Sequence, residues 1–117
     1  MSTFDHPGLI HDINAALGPF RKSQSEPMKG FAQLAQASMA EGAISAINKE
    51  LIALAIGITQ HCSGCIGFHV KALRRLGASR AELEEMLAVC VYMGGGPALM
   101  YAAEALKAWD SFEPPAA

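Results

Sequence analysis

Two cysteines three positions apart are the residues with the clearest chemistry in this sequence. Cys62-Ser63-Gly64-Cys65 opens an apolar stretch, and two thiols at this spacing can close a small disulfide ring with little rearrangement. If the stretch is helical, His69 lies one turn beyond Cys65 on the same face. A thiol attacks as its thiolate, which a helix N-terminus or a neighbouring imidazole makes available near neutral pH. The spacing therefore indicates thiol redox chemistry.

A carboxylate upstream of the cysteines can join this chemistry only if the chain turns back on itself. In one straight helix, Glu50 and Cys62 would lie roughly 18 Å apart, because a helix rises about 1.5 Å per residue. A reversal near residues 61–64 would instead bring Glu50 level with His69 on the neighbouring helix. We therefore predict one seam that carries the carboxylate, the imidazole and the two thiols. Apolar residues follow Glu50, so its carboxylate should be partly desolvated and suited to proton transfer.

The elements that hold these residues are predicted to be helices. Strict alternation of apolar residues is absent and β-branched residues are few, so the sequence predicts an all-α fold with about six helices. Pro7 opens a first helix over about residues 8–17, which Gly18-Pro19 should end, and residues 21–25 are expected to form a loop. Pro27 suits the first turn of a second helix that ends near Gly42.

Stronger signals mark the helices of the second half. Ser45 is a good N-cap for a third helix, which is apolar nearly all round and therefore expected to be central. A fourth helix fits residues 65–76, with Gly77 as its stop, and Ser79 with Glu82 forms a capping-box pattern that starts a fifth. The run 94–97 should break the fifth helix and start a sixth that reaches about residue 112, before a loose tail over 113–117.

Length and composition bound the class of protein. A chain of 117 residues is one domain by length. Apolar residues make up 51% and charged residues only 17%, so we expect other subunits to cover some apolar surface. A net charge of −2 with mixed signs argues against nucleic-acid binding and a polybasic membrane anchor. The most apolar runs are too short to span a bilayer and no secretory signal is apparent, so we expect a cytoplasmic protein.

Other interpretations of the cysteine pair and its neighbours stay open. A structural zinc site normally needs four protein ligands, and Cys62, Cys65 and His69 supply three, with His61 an awkward fourth. The two thiols can also be inert residues of a turn. For His69 the simpler interpretation is a packed histidine bonded to a backbone carbonyl, and for Glu50 an acid that favours the helix dipole.

Three further residues are expected to lie outside the chemistry. Cys90 falls within an apolar run and is predicted to be a small buried residue. His6 and His11 are predicted to be surface residues.

The ordered set of Glu50, Cys62-x-x-Cys65 and His69 resembles a known family. Together with Leu76-Gly77-Ala78-Ser79 and the segment from Tyr92 to Ala98, it is similar to the alkylhydroperoxidase AhpD-like core of the carboxymuconolactone decarboxylase superfamily. The resemblance covers about residues 28–112, so residues 1–117 are expected to be a single domain of this kind.

The resemblance implies a small all-helical bundle that assembles into trimers or hexamers and acts as a thiol peroxidase or disulfide reductase. By this resemblance Cys65 would attack a hydroperoxide, Cys62 would resolve the sulfenic acid to a disulfide, and Glu50 and His69 would relay the proton. The implied partners are a small hydroperoxide, a dithiol reductant such as a thioredoxin-like protein or a dihydrolipoyl donor, and further copies of the chain. No cofactor, metal, nucleic acid or membrane is expected.

One position departs from the family pattern. In the AhpD peroxidases a histidine typically stands just before the second cysteine, and here that position is Gly64, so the relay lacks one member and His61 is a possible auxiliary. Two alternative functions remain: a non-redox decarboxylase or lactone-type hydrolase that uses His69 as acid or base, and a metal-binding assembly module.

Overall fold

The described part of the chain, residues 3–112 of a computed structural model, is built from helices and contains no strand. The five helices are α1 (His6–Ser23), α2 (Ser25–Met39), α3 (Ala46–Thr59), α4 (Ser63–Leu76) and α5 (Arg80–Ser111). The all-α prediction is therefore confirmed. The predicted tail over 113–117 lies outside the described residues.

The helix boundaries of the second half follow local capping chemistry. The Ser45 hydroxyl accepts the backbone N–H of Asn48 at the start of α3. Ser79 and Glu82 form the predicted capping box at the start of α5, each side chain accepting the other's backbone N–H. Gly77 ends α4 in the left-handed conformation (φ 83°), which glycine adopts without steric cost. These predicted boundaries are confirmed.

The N-terminal half departs from the sequence prediction. The first helix continues through Pro19 to Ser23, so the predicted loop over 21–25 is wrong, and α1 and α2 meet at Gln24. A proline inside a helix removes one donor, here the partner of the Ala15 carbonyl. Because Ala15 is exposed, water can satisfy that carbonyl, and the helix is not forced to end.

The segment 94–97 divides α5 into two helical arms. Gly95 alone in α5 has non-helical dihedrals (φ 71°, ψ −154°), and the helix resumes directly after it. This backbone conformation is accessible essentially to glycine only. The predicted break is therefore confirmed, and the two arms of α5 on either side of Gly95 correspond to the predicted fifth and sixth helices.

The core lies where α3, α4 and α5 pack together, with α1 against α4. Its fully buried large side chains are Leu54, Ile58, Ile66, Val70, Leu73 and Leu83. The predicted central position of α3 is borne out on one face only, because Ile52 and Ile56 of the same helix are about half exposed. Helix α2 has no buried residue at all and displays Phe31 and Leu34 to solvent.

Helix α5 also bears on the membrane question. Among the described residues, it is the one helix that is long and apolar enough to span a bilayer. This evidence is weak, because core helices of soluble proteins meet the same criterion. In the fold, Leu83, Leu87 and Trp109 of this helix belong to the core.

Candidate active site

The chain reverses between α3 and α4 through a turn centred on His61. The backbone N–H of His61 donates to the carbonyl of Ile58 (3.2 Å), and that of Cys62 donates to the carbonyl of Gly57 (2.9 Å). With His61 in the left-handed conformation (φ 57°), these two bonds form a Schellman motif. The predicted reversal is therefore confirmed, and it leaves Cys62 directly between the two helices.

The two cysteines are joined in a disulfide at the start of α4. Cys62 is the N-cap residue of this helix, and its Sγ accepts the backbone N–H of Cys65 at 3.2 Å. The two Cα atoms lie 5.2 Å apart, and both residues are half-buried. The unpaired N–H groups and positive end of a helix dipole stabilise negative charge at an N-cap. The reduced form of Cys62 is therefore placed to hold its sulfur as a thiolate.

Glu50 and His69 meet across the seam between α3 and α4. The Oε2 of Glu50 lies 2.7 Å from Nδ1 of His69, and the two side chains are 14% and 31% exposed. An ionised carboxylate only accepts hydrogen bonds, so it fixes the hydrogen of a neutral imidazole on Nδ1. The Nε2 lone pair of His69 is then available as a base on the helix face that also carries Cys65, one turn away.

Small residues set how closely the neighbouring helices approach α4. A Cβ on Gly57 of α3 would lie 3.0 Å from Cβ of Cys65, so α3 passes tightly beside this cysteine. On another side, a Cβ on Gly64 would lie 2.9 Å from Cδ1 of Ile13 in α1. The position where the AhpD peroxidases carry a histidine therefore faces α1, and a side chain there would have to displace the end of the Ile13 side chain.

His61 takes a different place from the other candidate residues. Its ring stacks on Tyr101 of α5, with 4.6 Å between ring centroids and 6° between the planes. A left-handed conformation destabilises a non-glycine residue by about 1–2 kcal/mol. A stacked ring pair contributes about 0.5–1.5 kcal/mol of stabilisation, which offsets much of that cost. The stack therefore helps to hold the turn that positions Cys62, a role that differs from acid or base chemistry.

A second histidine–glutamate pair lies elsewhere in the fold and was missed in the sequence. His6 is 2% exposed, and its Nε2 lies 3.0 Å from Oε1 of Glu104 in α5, so the prediction of His6 as a surface residue is wrong. His11 is exposed, as predicted. A signal was present, because Glu104 is an acid within an apolar helical segment, the pattern that singled out Glu50.

The remaining cysteine is remote from this chemistry. Cys90 is buried in α5, as predicted, and its Sγ lies 3.5 Å from the sulfur of Met86. Burial raises the pKa of the Cys90 thiol above its ordinary value. Within residues 3–112, no three His, Cys, Asp or Glu side chains are grouped to hold a metal ion.

Comparison with known proteins gives this architecture a family. The carboxymuconolactone decarboxylase family matches residues 25–108. The fold is similar to the crystal structure of apo-lpg0406, a carboxymuconolactone decarboxylase family protein from Legionella pneumophila, with a TM-score of 0.90 and 50% identity over 92% of this chain and 96% of that one. The protein described here belongs to the carboxymuconolactone decarboxylase family, and the AhpD-like core fits that superfamily.

Two curated relatives align with most of this chain. An uncharacterized protein of Cupriavidus necator is 36% identical over 109 residues, which cover 93% of this chain and 96% of the relative. Uncharacterized protein 4 in the cox locus of Paracoccus denitrificans is 33% identical over 100 residues, 86% of this chain and 90% of the relative. Neither name states an activity, so the reaction has to be argued from the site.

Proposed function

We propose that this chain is a thiol-dependent peroxidase and disulfide oxidoreductase that reduces hydroperoxides at the Cys62–Cys65 centre. The observation that carries the proposal is the 2.7 Å contact between Glu50 and His69 on the seam that also holds the disulfide. A carboxylate-oriented imidazole beside a thiol is the arrangement that activates a sulfur nucleophile. The thiol one helical turn from His69 and the partial exposure of its ring distinguish this pair from a buried structural one.

In the proposed reaction, Nε2 of His69 takes the proton of the Cys65 thiol, directly or through water. The thiolate attacks one oxygen of the hydroperoxide, the O–O bond breaks, and the alkoxide takes the proton back from His69 and leaves as an alcohol. The product at Cys65 is a sulfenic acid. One equivalent of peroxide is thus reduced by two electrons, which come from the sulfur.

The second half of the cycle uses the N-cap position of Cys62. Nε2 of His69 takes the proton of the Cys62 thiol, directly or through water. The Cys62 thiolate, stabilised by the helix N-terminus, attacks the sulfenic sulfur of Cys65 and displaces hydroxide, which takes that proton back from His69 and leaves as water. The disulfide seen in the structure is the product. A dithiol reductant, a thioredoxin-like protein or a dihydrolipoyl group, then returns both cysteines to thiols by exchange, and Cys62 is the better leaving group because its thiolate is stabilised.

The matched pair of serine variants tests this assignment. Serine at position 62 keeps an N-cap oxygen for the backbone N–H of Cys65, so Cys62→Ser is expected to fold like the parent. Reduced Cys62→Ser should consume one equivalent of hydroperoxide and leave a dimedone adduct on Cys65, whereas Cys65→Ser should consume none above background. A Cys65→Ser protein that consumes peroxide at the parental rate would overturn the proposal. Activity that survives complete thiol alkylation would instead favour the non-redox decarboxylase alternative.

The proposal extends to assembly and location. Exposed apolar side chains occur on α2 and around the kink of α5, among them Phe31, Leu34, Tyr92, Met93 and Met100. Such surface favours burial against further copies of the chain, in a trimer or hexamer. Sedimentation that shows only monomer would contradict this part. The cycle also needs a compartment that keeps dithiols reduced, such as the cytoplasm.

A further inference from the structure

One residue ends α3 and begins α4. Cys62 donates its backbone N–H to the carbonyl of Gly57, which closes the last turn of α3, and its Sγ caps the first turn of α4. The residue before it, His61, lies outside both helices, so rotation about its backbone bonds turns α4 relative to α3. Any freedom at His61 is therefore passed on to the sulfur of Cys62.

The end of α3 lacks the glycine that ends α4. Both helices are followed by a left-handed residue, Gly77 after α4 (φ 83°) and His61 after α3 (φ 57°). Glycine is the usual residue at this place, because a Cβ destabilises the left-handed conformation. Among the described residues, His61 is the only one other than glycine with a positive φ. Its conformation therefore depends on a contact from outside the turn.

Tyr101 of α5 makes that contact. The two rings stack with 4.6 Å between their centroids and 6° between their planes. The histidine is exposed, whereas Tyr101 is half-buried and packs against the hydrophobic core, so the tyrosine is the fixed member of the pair. Within residues 3–112 the Tyr101 hydroxyl makes no hydrogen bond, so the face of its ring is what contacts the turn.

We propose that Tyr101 is a positioning residue of the thiol centre: through its stack with His61 it keeps the reduced Cys62 sulfur within reach of Cys65. In the oxidised chain the S–S bond itself fixes Cys62, whereas in the reduced chain the turn alone holds it at the start of α4. The stack therefore favours disulfide formation, and by reciprocity the disulfide favours the stack. Cys65 needs no such contact, because it lies within α4 and against Gly57.

The inference rests on the proposed function only in that the Cys62–Cys65 pair must be redox-active, so the test uses no hydroperoxide. The full chain is equilibrated with mixtures of dihydrolipoate and lipoate, and the fraction of disulfide gives the reduction potential of the pair. In each exchange the Cys62–Cys65 bond breaks, two thiols form and dihydrolipoate closes to lipoate, a transfer of two electrons and two protons.

Two substitutions of the same tyrosine provide the variant and its matched control. Tyr101→Leu removes the ring and leaves an apolar side chain against the core, whereas Tyr101→Phe keeps the ring face and removes only the hydroxyl. The equilibrium constant for disulfide formation is expected to fall about fivefold in Tyr101→Leu, the factor that one stacked ring pair supplies. The reduction potential then becomes about 20 mV less negative. Tyr101→Phe should match the parent.

A double-mutant cycle separates this role from general packing of Tyr101. His61→Gly removes an exposed ring and gives the turn a residue that adopts the left-handed conformation freely, so this variant is expected to fold. In the His61→Gly background, Tyr101→Leu should leave the potential unchanged, because the partner ring is already gone. The same shift in both backgrounds would overturn the inference.

The unsubstituted chain supplies a second measurement. Reduction should loosen the stack, so the NMR signals of the His61 ring protons, assigned by their loss in His61→Gly, should move downfield as they leave the face of the Tyr101 ring. Signals that stay in place, or equal potentials for the parent and Tyr101→Leu, would overturn this inference alone. A parental pair that never equilibrates with dihydrolipoate would overturn the proposed function together with it.

Discussion

The two histidine–glutamate pairs of this chain have similar contacts and different surroundings. His69 and Glu50 are 2.7 Å apart and link α4 to α3, while His6 and Glu104 are 3.0 Å apart and link α1 to α5. The His69 side chain is 31% exposed and that of His6 only 3%. A pair of this kind is therefore not by itself a sign of catalysis. What distinguishes the first pair is solvent access and a thiol one helical turn away.

The difference lies in the helix that separates the two pairs. One side of α4 presents Cys65 and His69 toward α3, and another presents Gly64 and Gly67 toward α1. Cys65, His69 and Gly64 are all half-buried, while Gly67 is buried against α1. The same helix thus carries chemistry on one side and close packing on the other.

The largest expected effect separates the two glutamates. Glu50→Gln keeps the shape of the side chain but removes the charge that orients His69, so kcat/KM for hydroperoxide should fall by about a hundredfold. Glu104→Gln weakens a nearly buried pair and should lower the free energy of unfolding by about 1–3 kcal/mol. Peroxide kinetics and denaturant unfolding are measured on both variants. Glu85→Gln, which removes an exposed acid, should match the parent in both.

The distinction between the two pairs would fail if Glu50→Gln lowered the free energy of unfolding but left kcat/KM for hydroperoxide unchanged. That outcome would make the pair at the disulfide a structural contact like the one at His6.

A smaller effect tests how tightly α1 packs against Gly64. Gly64→His restores the side chain that the AhpD peroxidases carry, but the imidazole would meet Ile13 of α1. Overpacking of this kind should lower the free energy of unfolding by about 1–3 kcal/mol. Gly64→Ala should cost less, because a single Cβ meets only the tip of the Ile13 side chain. Denaturant unfolding of both variants gives the two values.

A double variant shows whether α1 is the cause. Ile13→Ala should recover part of the stability that Gly64→His loses, since it opens the space that the imidazole needs. Additive losses in the double variant would contradict the packing explanation.

The smallest effect contrasts the buried thiol with the site thiols. Burial raises the pKa of Cys90, so this thiol keeps its proton in the folded protein at a pH where the unfolded chain begins to lose its own. The free energy of unfolding is therefore unaffected by Cys90 below the ordinary thiol pKa of about 8.5, and it decreases as the pH rises above that value. With iodoacetamide at about pH 8, reduced folded protein should be labelled at Cys62 and Cys65 before Cys90. Mass spectrometry that finds Cys90 labelled as fast would contradict its burial.

Features set by local patterns could be predicted from the sequence, and those set by distant packing could not. The Ser79 capping box, the stop at Gly77 and the reversal that returns Glu50 toward His69 each depend on neighbours in the chain, and all three are present. The contact of His6 with Glu104 spans 98 positions and depends on how α1 docks. The close approach of Ile13 to Gly64 also depends on how α1 docks. The apolar segment around Glu104 marks this acid in the sequence, but no local spacing reports its partner or the residue that Gly64 contacts.

The kink of α5 has a consequence for which substitutions the chain tolerates. Three glycines stand side by side, yet they face different constraints. A methyl group on Gly96 meets open space, and one on Gly94 would lie 2.8 Å from Cβ of Ala98. Gly95 has room around it but holds a backbone conformation closed to other residues. In a library of single substitutions, position 96 should accept many residues, position 94 few, and position 95 glycine alone.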